Sequence, residues 1–137
     1  MTLRSERGTA AVEMALLAPF LVLLVATVVA AGRIVDTKSA VLAVAREAAR
    51  TASEAPDAGS AVSAGASAAS QAAAGLGLDP SRLAVTQSPG GFERGEPYRV
   101  SVSYEVPLAD LPGFGILPGS FVLSAEHAEL IQRFKSR

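Results

Sequence analysis

Residues 8–32 read GTAAVEMALLAPFLVLLVATVVAAG. Glu13 is the only charge in this stretch, and the eighteen residues from Met14 to Ala31 carry none. As a helix rising 1.5 Å per residue, that run is roughly 27 Å long, close to the ~30 Å hydrocarbon core of a bilayer. No later segment has the apolar length to span a membrane. The stretch predicts one N-terminal anchor, with everything beyond Gly32 on one side of the membrane.

Glu13 is the costly residue. A carboxylate at mid-bilayer is penalised by roughly 2.5–3.5 kcal/mol on insertion scales, less near the start of the run. Gly8 lies five residues earlier, behind Arg4, Glu6 and Arg7. If the chain is cut after Gly8, Thr9 becomes the new N-terminus. Residues four apart share a helix face, so the Thr9 ammonium then offsets the Glu13 carboxylate, within one subunit or between neighbours. Before the cut, the nitrogen of Thr9 is a neutral amide and cannot.

The Gly8/Glu13 spacing resembles the prepilin-peptidase site of type IV pilins and pseudopilins. The longer string ERGTAAVEMALLAPFL (6–21), followed by GRIV (32–35) and AREAAR (45–50), is similar to the TadE family of minor pilin-like proteins in tight-adherence (Flp) pilus assembly. Met14 stands where many members carry an aromatic residue, and Thr9 is smaller than the usual first mature residue. The resemblance implies cleavage between Gly8 and Thr9 by a membrane prepilin peptidase. It also implies entry into, or priming of, an Flp-type pilus. The partners would be other pilins or pseudopilins, an inner-membrane assembly platform and its secretion ATPase.

The chain has 137 residues, 12 basic and 13 acidic, and no cysteine. About 100 residues beyond Gly32 suit one small domain. The near-cancelling charge gives no basic surplus for nucleic acid. Without cysteine there is no disulfide and no thiol catalysis. Arg4, Arg7 and the terminal amine hold the leader in the cytoplasm by positive-inside logic, which places the head outside, although Arg33 and Lys38 oppose this from the other flank. Val29-Ala30-Ala31 would suit signal peptidase. The apolar run, however, exceeds the usual 7–15 residues of a signal peptide and starts beside a carboxylate.

Outward from the anchor, Pro19 has no N–H for the carbonyl of Ala15, so a bend or loosened turn is expected there. The pairs Ala11/Ala15 and Ala26/Ala30 are spaced for close approach of another membrane helix. The helix should continue to about residue 53, with Ile34, Val41, Leu42, Ala45, Ala48, Ala49 and Ala52 on one face. Arg46, Glu47 and Arg50 lie mostly elsewhere. They are candidates for helix-face docking, or else a solvated face. Pro56 should stop the helix, and Asp57 should cap a second one rich in Ala, Ser and Gly, ending at Gly75 and Gly77. From Arg82 the period changes to two. Leu83 and Val85 open one strand. Tyr98, Val100, Val102, Tyr104 and Val106 face inward on the next, and a third runs from about Phe121 to Ala128, with the tail from Leu130 as an extension. Leu111, Phe114, Ile116 and Leu117, in a Pro/Gly loop, should be packed down or held for a partner.

The expected fold is therefore α+β and pilin-like, with a long N-terminal transmembrane helix, a second Ala-rich helix and a small three-stranded antiparallel sheet. The parts are a basic leader (1–8), a transmembrane helix (9–32), its helical continuation (33–55) and a small extracytoplasmic head (56–137). No catalytic constellation, phosphate loop or cofactor motif is visible. His127 and Glu129 have the same-face spacing of a metal pair on a strand, but a lone histidine on a polar strand face is ordinarily a surface residue. The leading reading is a minor pseudopilin in the cytoplasmic membrane, neither an enzyme nor a nucleic-acid binder. The competing readings are an uncut, membrane-tethered sensing module and a secreted enzyme released by signal cleavage.

Overall fold

The structure is a computed structural model that describes residues 3–132, with side chains from Ala10 onward. Helix α1 runs from Leu3 to Ser53, roughly 75 Å of continuous rod. Pro19 sits inside it without ending it. Gly32 does not break it either: a side chain there would meet nothing within 4 Å. Met1 and Thr2 of the leader lie outside the described residues, as do the side chains of Leu3 to Thr9.

Helix α2 spans Ala58–Gly75. Asp57 begins it with a capping box: the Ser60 N–H donates to Asp57 Oδ1 at 2.9 Å, and the Asp57 N–H donates to Ser60 Oγ at 3.3 Å. The helix ends as the glycines forecast. Gly77 adopts φ +74°, and the N–H groups of Gly77 and Leu78 donate to the carbonyls of Ala74 and Ala73. This is the Schellman arrangement, which satisfies two carbonyls that the helix end leaves open.

Three strands follow: β1 (Leu83–Ser88), β2 (Pro97–Pro107) and β3 (Ser120–Leu130). They form one antiparallel sheet in the order β1-β2-β3. Tyr98, Val100, Val102, Tyr104 and Val106 are all buried, as the alternation of β2 requires. Strand β3 begins at Ser120 and reaches Leu130. Beyond it, Ile131 is buried and its N–H donates to the carbonyl of Glu96. Residues 133–137 lie outside the described residues.

The core lies between the sheet and the upper half of α1. Val41, Val44, Ala45, Ala48, Ala49 and Ala52 are fully buried, while Ile34 and Leu42 are only half-buried. Val44 belongs to the stripe by its i, i+3 spacing from Val41, and the sequence reading left it out. Helix α2 packs against α1 and β1, with Ala61, Gly65, Ala69 and Ala73 along its inner face. Those small residues bring the two helices close, so α2 is held by contact rather than by large side chains.

Candidate functional site along the N-terminal helix

Apolar burial stops abruptly along α1. The core stripe extends down to Val41, and below Ala26 every described residue is exposed. Met14, Leu16, Phe20, Val22 and Leu24 are each more than half exposed. A helix within a soluble core would hide one face. This one is bare all round and apolar all round, which in water would be unfavourable by roughly 1.5–3 kcal/mol for each large side chain. The segment is long and apolar enough to cross a membrane, and it fits a single-pass membrane protein. Thr27 donates its hydroxyl to the carbonyl of Leu23 at 2.8 Å, so even this polar group is satisfied inside the helix.

Gly8 and Thr9 lie in α1, but the side chain of Thr9 is outside the described residues. Glu13 is exposed, and the described side chains around it, from Ala10 to Leu17, are apolar. Arg46, Glu47 and Arg50 are exposed as well, but they do not form one patch. Arg50 extends toward the helix end, with Nε 3.6 Å from Glu54 Oε1. Both side chains are largely in solvent, so the pair adds little to stability. Arg46 lies one turn before Arg50 on that stripe. Glu47 instead borders the groove between α1 and α2, with Thr51, Ser67 and Gln71.

Two placements depart from the sequence reading. Ala26 and Ala30 are covered by the protein's own loop rather than left for another helix. Ala30 is buried, and a Cβ on Gly113 would stand 2.8 Å from the Ala26 Cβ. Gly113 also has φ +82°. Close approach and backbone conformation thus both demand glycine there. Ala11 and Ala15 remain exposed. His127 is the second departure. It is not on a polar strand face but pairs with Val100, on the same side as Phe121, Leu123 and Ala125, and is half-buried. The strand alternates in strict period two, and Val100 faces the helices, so His127 must as well. Its Nε2 lies 3.4 Å from Glu129 Oε2. Among the described residues, no three His, Asp or Glu side chains are grouped to hold a metal ion.

A polar node escaped the sequence reading altogether. The Tyr98 hydroxyl donates to Gln87 Oε1 at 2.8 Å, and Gln87 Nε2 donates to the carbonyl of Val62 at 2.9 Å. One glutamine therefore ties β1 to both β2 and α2. A side chain on Gly65 would collide with Gln87 Oε1 and would lie 3.2 Å from the Ala52 Cβ. Gly65 is what lets α2 close over this node. Burial pushes the Tyr98 phenol above its ordinary pKa, so it stays a donor through the physiological range. The only sequence signal for the node is Gly65 within an alanine helix.

The loop after β2 is the other feature with functional promise. Leu108, Leu111, Phe114 and Phe121 face Thr27, Ala30, Ala31 and Ile34 across a wholly apolar cavity of about 380 Å³.

No curated protein and no solved structure matches the chain. The family model for TadE-like proteins matches residues 8–50. That match begins at the glycine singled out for cleavage and ends at Arg50, within the last turn of α1. From Gly8 to Arg50, the long helix that carries the bare apolar segment and most of the core stripe is similar to that of TadE-like proteins.

Proposed function

We propose that this chain is a minor pilin-like component of a tight-adherence (Flp) pilus system, with a structural rather than a catalytic role. The observation that carries the reading is the family match over 8–50 on a helix whose lower half is bare and whose upper half is the core of a small head. Such a helix can exchange lipid for the helices of neighbouring subunits without disturbing the head. The cytoplasmic membrane is the resident compartment, with the leader inside and the head outside. A prepilin peptidase cuts between Gly8 and Thr9, and the product then meets other pilins or pseudopilins at the assembly platform. In that bundle the Thr9 ammonium and Glu13 carboxylate compensate each other, and the exposed Arg46 and Arg50 stripe is available for docking.

Intact mass and N-terminal sequencing of membrane-extracted protein test this directly. The expected terminus is Thr9, and replacing Gly8 with a bulky residue should leave the precursor uncut. A terminus at Met1 would favour an uncut tethered module. One near Gly32 would indicate signal peptidase and sink the pilin reading.

A further inference from the structure

We propose that the loop from Leu111 to Gly119 is a second membrane contact. It would dip Phe114, Ile116 and Leu117 into the lipid interface beside the anchor. The inference rests on the membrane reading of α1 but not on any role in a pilus.

The position of the loop is the first argument. Gly113 packs on Ala26, five residues inside the apolar run that ends at Ala31. At 1.5 Å per residue, that contact lies roughly 8 Å below the end of the run. Apolar faces seated in a membrane interface reach about 5–10 Å below the headgroups. When Met14–Ala31 occupies the hydrocarbon, a loop fixed to Ala26 has nowhere else to be. The conclusion is the same whichever side the head occupies.

Composition is the second argument. Between Asp110 and Glu126 the chain carries no charge. Ile116 is 94% exposed, and Leu117 is about half exposed, so the most apolar part of the loop turns away from the head. The charges stand at its base instead. Arg82 Nη1 lies 2.6 Å from Asp110 Oδ2, and both residues line a small cleft with Arg33 and Thr37. Polar rim and apolar tip follow each other in the order of headgroups and acyl chains.

The backbone is the third argument. Inserting a loop is costly when its N–H and C=O groups lose water without replacement. Here the N–H groups of Leu111, Phe114 and Leu117 donate to the carbonyls of Leu108, Leu111 and Phe114, and that of Leu108 donates to Gly119. Successive tight turns satisfy part of the loop backbone from within and lower that cost. The apolar cavity between the loop and Ala30 opens at the same level and has room for the end of an acyl chain.

The cysteine-free sequence makes the test direct. Full-length protein carrying Ile116→Cys, Val22→Cys or Glu93→Cys is labelled with the fluorophore NBD and reconstituted into phosphatidylethanolamine/phosphatidylglycerol vesicles. Matched vesicles contain lipid brominated near the top of the acyl chain. The expected result is blue-shifted emission and strong bromine quenching at 116, comparable to or exceeding that at 22, with neither at 93, which lies at the opposite end of the sheet. Quenching at 22 but not at 116 would overturn the proposal while leaving the anchor intact. A blue shift at 116 without quenching would mean that protein rather than lipid covers the loop, and would also overturn it. Quenching at neither 22 nor 116 would remove the anchor and the proposal together.

Discussion

Glu13 is the only carboxylate in the apolar run of α1, and among the described side chains around it none carries a charge to pair with it. Glu13→Ala should therefore leave membrane insertion unchanged, since it removes a penalised charge. It should damage assembly instead, because the Thr9 ammonium then enters a helix bundle unpaired, and an unpaired buried charge is strongly destabilising where the pair roughly breaks even. Glu13→Gln keeps size and hydrogen bonding without the charge and should fail similarly. The measurement is co-purification with pilin partners and a count of pili from cells in which the variant is processed normally. Normal assembly by both variants would reduce Glu13 to a tolerated interfacial charge. Asp57 shows a different use of a carboxylate. The backbone N–H and then the hydroxyl of Ser60 hold its pKa below the ordinary 3.8. The folded state thus binds the proton less tightly than the unfolded one. The stabilisation is present above the unfolded pKa of about 3.9 and is lost as pH falls through the lowered folded value. Thermal melts of Asp57→Asn should fall below those of the parent at about pH 6, and the gap should narrow progressively as the pH falls below the ordinary carboxylate range. A gap independent of pH would mean that the cap acts without its charge.

Helix α2 has no large inner side chain to hold it, so its docking depends on closeness. Gly65 is the tightest point, between Ala52 of α1 and Gln87 of β1. Gly65→Leu should separate α2 from the sheet and break the Gln87 bonds to Tyr98 and Val62. The cost should be about 1–3 kcal/mol, the usual range for overpacking. Hydrogen exchange would show it as faster opening of α2 with α1 little changed. Unchanged protection in α2 would mean that Gln87 simply swings aside and that the node is dispensable. The loop on Ala26 follows the same logic at Gly113, where a positive φ adds to the lack of space.

On the scale of the whole chain, one helix performs two jobs in sequence. Its lower half offers apolar surface to the membrane and its upper half supplies one wall of the core, so the head is tied to the membrane without a hinge. In the proposed topology the leader charges orient this rod, with the head outside. Glu93, exposed in the turn before β2 at the end of the sheet away from the anchor, is the place to check. A Glu93→Cys variant should react with a membrane-impermeant maleimide in intact cells once any outer envelope is permeabilised. Labelling only after lysis would invert the topology and remove the basis for a pilus-like head.

Much of this architecture is local and was legible in the residues. The apolar run, the switch from period 3.6 to period 2, the Asp57 cap and the Gly75/Gly77 stop each depend on neighbours within one or two turns, and α1, α2 and the three-stranded sheet follow from them. The resemblance around Gly8 and Glu13 is local too, and the family match covers the same residues. What required the tertiary structure was every feature in which distant residues share space. In the sequence His127 reads as a polar-face residue between Glu126 and Ala128, whereas its facing direction is set by Val100 across the sheet. Ala26 and Ala30 advertise a small surface without saying what fills it, and Gly113, far along the chain, does so. Gln87 is an unremarkable polar residue until Tyr98, Val62 and Gly65 surround it. Periodicity reports which way a side chain points within its own element. Only packing determines what it meets there, because that depends on how the elements dock and not on the spacing within any one of them.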